Sequence, residues 1–297
     1  MTKIIEVQAL TKQYRGIRAV DGVSFTVEQD GIYGLLGRNG AGKTTLMQLI
    51  TGQAFKTAGK IDIYGENPLE HSAVLEQIVF IRESQRYPEN FKVRHVMRAA
   101  ALLYRNWDAN LASDLLKDFR LPTDRHMIKL SRGQVSAVGV VVGIASRAPI
   151  TIFDEPYLGM DAVARTLFYD RLLTDYAERP RTIILSTHLI DEVADLLDHV
   201  LVIDQGRIIL DSGTEELRGS ASAIEGPSSL VKEFFTDCKV LESQDIGSYT
   251  RAVVSNLSAS AVASATQQGL IVNPVSLQQL IVSQTSGELT NEKEAAN

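Results

Sequence analysis

The sequence predicts an α/β fold: a mostly parallel sheet covered by helices, followed by a small C-terminal α+β domain. Three observations predict it. Two β-branched apolar strands, Ile150-Thr151-Ile152-Phe153 and Thr182-Ile183-Ile184-Leu185-Ser186, flank a helix-like stretch from Ala162 to Tyr176. Strand–helix–strand alternation of this kind calls for parallel pairing under a helical cover. A glycine-rich loop separates the apolar run Gly31-Ile32-Tyr33-Gly34-Leu35-Leu36 from a helix beginning near Lys43. After Leu217 the composition shifts, and order signals resume only from about residue 230.

Along the chain, residues 4–30 alternate apolar and polar in short runs punctuated by Gly16 and Gly22, which reads as strands and turns. Ile61-Asp62-Ile63-Tyr64-Gly65 reads as a further strand with its turn. Residues 89–147 carry helical spacing, as in Val93, Val96, Met97 and Ala100, up to Pro149. Val200-Leu201-Val202-Ile203 and the turn Asp204-Gln205-Gly206-Arg207 close this part, which ends near residue 217. Residues 218–229, rich in Ser, Ala and Gly, read as a linker. Residues 230–285 form the small domain, with helical pieces at 228–236 and 258–268 and strands at 251–254 and 270–272. The tail 286–297 reads as disordered.

Composition narrows the functions. The apolar fraction is 44%, ordinary for a globular chain. The longest apolar run, Val138 to Ala145, is broken by glycines and is far short of the roughly 20 residues a spanning helix needs. The N-terminus enters a strand pattern at once, so no signal peptide is expected. A net charge of −6 gives no basic footprint, and no nucleic-acid partner is expected. One cysteine, Cys238, excludes an intramolecular disulfide.

Gly37-Arg38-Asn39-Gly40-Ala41-Gly42-Lys43-Thr44 matches the phosphate-loop pattern G-x-x-x-x-G-K-[ST] between a strand and a helix, the context the pattern requires. Its glycines let successive amides turn inward toward an anion, and the helix that follows adds its positive end. Lys43 is expected to reach the β- and γ-phosphates, and Thr44 to give an oxygen to Mg²⁺, with Thr45 beside it. No Asn-Lys-x-Asp occurs, so the guanine-reading motif of GTPases is missing.

Further motifs follow in one order. They are Leu130-Ser131-Arg132-Gly133-Gln134, then Asp154-Glu155-Pro156 at the end of an apolar strand, then Gly159-Met160-Asp161, then Ser186-Thr187-His188. With the phosphate loop they make residues 3–217 resemble the ABC ATPase family. The resemblance implies a core with an antiparallel N-terminal β subdomain and a helical subdomain at about 84–147, and Mg-ATP as ligand. It implies Asp154 at Mg²⁺, Glu155 as general base and His188 against the γ-phosphate. It also implies that Ser131, Gly133 and Gln134, with Asp161 of the D-loop, act on nucleotide held by a second subunit. Tyr14 matches the aromatic that stacks on adenine. The Q-loop is the poorest match: by spacing Glu83 takes the place, and Gln85 stands two residues late. Arg132 replaces the usual Gly of the signature.

The family resemblance, with the missing membrane span, implies the ATPase subunit of a transporter, lying peripherally on the cytoplasmic face of the membrane. It would dimerise on ATP and drive a separate polytopic permease, with export the expected direction. The alternative from the same family is a soluble ATPase acting in cofactor assembly or on a ribosome or nucleic-acid complex.

Overall fold

The computed structural model describes residues 2–283, apart from Glu70, Ser84, Asp237 and Asn256. The expected tail at 286–297 lies outside the described residues. Two compact units emerge. One runs up to His188 and adds Asp195–Asp211; the other combines Leu189–Ala194 with the chain from Ser212 onward.

In the first unit, β1 (Lys3–Tyr14) pairs antiparallel with both β2 (Ile17–Glu28) and β4 (Ala58–Ile63). The expected N-terminal antiparallel sheet is present. Gly22 lies inside β2 with φ +65°, next to a register shift at Leu10, and is not a turn. The larger sheet runs in the order β5 (Ile78–Arg82), β6 (Ile150–Asp154), β7 (Thr182–Thr187), β3 (Ile32–Leu36), β8 (His199–Asp204), β9 (Arg207–Gly213). Every pair from β5 to β8 is parallel. Strands β3, β6 and β7 are buried at every position, which explains why they read as continuous apolar runs and do not alternate.

Helix α1 (Lys43–Ile50) follows β3, and its Leu46, Met47, Leu49 and Ile50 join the core of β1, β2 and the sheet. The short α2 (Ser72–Leu75) precedes β5. The region expected to be helical holds α3 (Val93–Leu103), α4 (Ala109–Asp118) and α5 (Arg132–Ala145). Helix α5 is buried from Ala137 to Ala145. Its glycines allow close packing: a Cβ on Gly143 would come within 2.4 Å of the Phe153 ring. Helix α6 (Ala162–Glu178) is tied to the start of α4 and the end of α5 by a buried charge cluster. Arg147 lies 2.7 Å from both Asp108 and Asp175, and Arg181 lies 2.7 Å from the other Asp175 oxygen.

In the second unit, after α7 (Ile190–Val193) and α8 (Thr214–Leu217), the antiparallel sheet runs β11 (Lys239–Ile246), β12 (Tyr249–Ser255), β10 (Ala221–Pro227), β13 (Ile271–Pro274). Helices α9 (Ser228–Glu233) and α10 (Ala259–Gln267) accompany it. The expected linker at 218–229 is therefore corrected: β10 is an inner strand and α9 follows directly. Its small residues are a packing requirement. Gly226 faces Leu270, whose Cδ2 would stand 2.2 Å from a Cβ placed there. Strand β11 has no counterpart in the sequence reading, because it is a polar edge strand, exposed along most of its length.

Candidate functional site

The loop after β3 owes its path to glycine. Gly37 has φ +153° and Gly42 φ +114°; a Cβ would lie 2.2 Å from the Ile203 carbonyl at the first and 2.3 Å from the Ala19 carbonyl at the second. The loop is thus pressed onto neighbouring backbone and admits no side chain at either point. No side chain caps α1, so the amides that open it remain open to an anion. The buried Lys43 ammonium donates to the carbonyls of Gly37 at 2.7 Å and Arg38 at 3.3 Å.

A cleft of about 300 Å³ opens here, lined by Ala19, Arg38, Asn39, Gly40, Gly42, Lys43, Thr44, Thr45, Glu83 and Glu155. Parallel register sets the ends of β6 and β7 side by side, with Asp154 opposite Ser186. The Asp154 carboxylate accepts from Thr44 Oγ1 and from Ser186 Oγ, each at 2.8 Å. Burial pushes its pKa up, against the pull of those two hydroxyls.

Glu155 then leaves the strand with φ +48°, a left-handed conformation that a non-glycine residue adopts only when its surroundings hold it. Its two oxygens differ. Oε2 is bonded to His188 Nδ1 at 2.7 Å and to the Tyr157 hydroxyl. Oε1 is buried without a hydrogen-bond partner and lies 3.6 Å from Lys43 Nζ. Tyr157 is itself buried, and its hydroxyl also meets Thr187 Oγ1 at 2.8 Å and the His188 amide at 3.2 Å. Burial first, and then the bond to Glu155, hold the phenol well above its ordinary pKa.

The structure therefore gathers Lys43, Thr44, Asp154, Glu155 and His188, with Glu83 on the cleft wall. Gln85 instead turns its Oε1 toward the Arg82 amide at 3.4 Å. The sequence reading missed Tyr157, Ser186 as a carboxylate donor, and Ala19. A hydroxyl on a hard-oxygen donor set, Thr44 and Asp154, beside an unpartnered carboxylate oxygen fits a divalent cation such as Mg²⁺.

Ser131, Gly133, Gln134 and Asp161 are elsewhere and do not line this cleft. Ser131 caps α5, its Oγ accepting from the Gln134 amide at 3.2 Å while the Gln134 side chain accepts from the Ser131 amide at 3.1 Å. Asp161 caps α6 by accepting from the Ala164 amide at 2.8 Å. These two helix starts are locked together. A Cβ on Gly133 would stand 2.3 Å from the Gly159 carbonyl, and Ser136 donates to the Leu158 carbonyl at 2.7 Å. Arg132 is exposed and lies 3.8 Å from Glu83. Tyr14 ends β1 with its ring 44% exposed and the Lys12 ammonium 4.5 Å above it.

Comparison with known proteins agrees with this geometry. A family model described as "ABC transporter" matches residues 20–158. The chain is 30% identical to the bacitracin transport ATP-binding protein BcrA of Bacillus licheniformis, covering 73% of this chain and 72% of that one. It is 31% identical to the Nod factor export ATP-binding protein I of Ralstonia nicotianae, over 73% and 69%. A solved ATP-binding subunit of an ABC transporter superposes with a TM-score of 0.66 at 26% identity, over 72% of this chain and 91% of that one.

Proposed function

This chain belongs to the family of ABC transporter ATP-binding subunits, and from that premise we propose that it hydrolyses Mg-ATP at the Gly37–Thr44 loop with Glu155 as general base, as a dimer that drives a separate membrane permease in the direction of export. The carboxylate of Glu155 carries this reading. One oxygen is anchored, and the other is unpartnered beside Lys43 at the wall of a phosphate-sized cleft.

The steps follow from the residues. Loop amides and the start of α1 receive the phosphate chain, and Lys43 neutralises charge on the β- and γ-phosphates. Thr44 and Asp154, with Glu83 on the cleft wall, would hold Mg²⁺, and the ion would supply charge neutralisation for the transferring phosphoryl group. Glu155 Oε1 takes a proton from the attacking water as its oxygen bonds the γ-phosphorus and the bond to ADP breaks. His188, joined to Oε2, faces the γ-phosphate, and the exposed Tyr14 ring offers adenine a stacking surface.

The dimer follows from what the cleft lacks. Ser131, Gly133, Gln134 and Asp161 present two helix starts away from the cleft of their own chain, suited to phosphates held by a second copy. No described helix is long and apolar enough to cross a membrane; the separate permease and the peripheral place on the cytoplasmic face belong to this reading through the transport relatives. The names of the bacitracin and Nod factor relatives support transport and export. The Glu155→Gln variant is expected to retain ATP binding and lose turnover by more than about 100-fold in a phosphate-release assay. Near-normal hydrolysis would exclude Glu155 as the base.

A further inference from the structure

We propose that Tyr157 is a positioning residue for the hydrolytic carboxylate: its hydroxyl fixes Glu155 Oε2 so that Oε1 is left to the attacking water. The proposal rests on the reading of Glu155 as general base and adds a residue to it.

The hydrogen-bond inventory is what assigns the role. A phenol has one proton to give and two lone pairs. Around Tyr157 stand one strong acceptor, Glu155 Oε2, one donor, the His188 amide, and the Thr187 hydroxyl, which can donate or accept and donates once the phenol's proton goes to Glu155; His188 Nδ1, 3.2 Å away, is itself bonded to Oε2. The phenol therefore donates to the carboxylate and accepts from the His188 amide and the Thr187 hydroxyl. A bond to an ionised carboxylate is among the stronger kinds, and burial strengthens it further. Tyr157 is 2% exposed, so water does not compete for these places.

The carboxylate needs such an anchor. Glu155 sits in a left-handed backbone conformation at a strand end, and its side chain is buried. His188 Nδ1 supplies one bond to Oε2 at 2.7 Å, from a side chain that is 42% exposed and so open to competition from water. The tyrosine ring lies beside the imidazole, the two centroids 5.8 Å apart and the hydroxyl 3.2 Å from His188 Nδ1. Both donors converge on the same oxygen, which leaves Oε1 without a hydrogen-bond partner and 3.6 Å from Lys43. A phenylalanine would fill the same volume and provide none of this. All the hydroxyl's partners belong to the site: Glu155, Thr187 and His188.

The test is steady-state ATP hydrolysis by the full chain as wild type, Tyr157→Phe, Thr187→Val and Glu155→Gln, at a temperature well below each variant's measured melting point. Tyr157→Phe is expected to lower kcat about 10- to 100-fold, the scale of a misplaced catalytic group, with KM for ATP within about twofold of wild type. Thr187→Val, which removes one support of the phenol, is expected to lower kcat in the same direction by a smaller factor. It decides the matter if the phenylalanine variant does not fold. Wild-type kcat in Tyr157→Phe, or in Thr187→Val where that variant decides, overturns the proposal. So does a loss of rate matched by a proportional rise in KM. Glu155→Gln separates the two levels. If it is inactive while Tyr157→Phe is unaffected, only the role of Tyr157 fails; if it still turns over, the general-base reading fails with it.

Discussion

At the scale of single residues, chemistry and backbone constraint meet in the same few positions. Gly37, Gly42 and Gly133 each face a backbone carbonyl closer than any Cβ could stand. The first two shape the phosphate loop. The third lets the start of α5 sit against the Gly159 turn, so that Ser131 and Asp161 are presented on one rigid surface. Replacing Gly133 by alanine must push these backbones apart. The variant is expected to lose about 1–3 kcal/mol of stability in chemical denaturation, the range for overpacking a close contact. Its loss of ATP hydrolysis should exceed what that destabilisation explains. Glu155, Asp154, Lys43 and His188 were all legible in the sequence, because each lies in a short motif after an apolar strand. Tyr157 was not, because a hydroxyl's role depends on three partners, two of which arrive from another strand.

At the scale of elements, helix starts do much of the positioning. Helix α4 begins at Asp108, whose Oδ1 accepts from the Leu111 amide at 2.9 Å and whose Oδ2 reaches Arg147 in the buried charge cluster. The bond to Leu111, followed by the charge of Arg147, holds its pKa below the ordinary 3.8. A carboxylate lowered in the folded state contributes stability above its unfolded pKa and loses it as pH falls through the folded one. Asp108→Ala is expected to lower stability by about 0.5–2 kcal/mol near neutral pH, as the loss of a helix cap does. The gap from wild type should close as pH drops below 3.8. A gap independent of pH in urea melts would show that the charge of Asp108 contributes nothing. Elements were legible where their pattern was strong: β3, β6, β7 and α6 lie close to where periodicity placed them. Strands β10 and β11 were not. Small residues that permit close packing in β10 read as a linker, and the polar edge strand β11 offers no apolar face to recognise.

At the scale of the whole molecule, Ser131, Gly133, Gln134 and Asp161 do not line the phosphate cleft of their own chain, although Arg132 between them reaches Glu83 at its wall. On the proposed function, the site around nucleotide held in one copy would be completed by the Ser131 surface of another, so that ATP would join two subunits and hydrolysis would release them. The nucleotide dependence of that dimer is measured by light scattering on size-exclusion chromatography of the Glu155→Gln protein. A dimer is expected in Mg-ATP and a monomer in Mg-ADP, and a monomer in Mg-ATP once Ser131→Arg is added. A monomer throughout, or a dimer indifferent to nucleotide and to Ser131→Arg, would contradict an ATP-joined dimer.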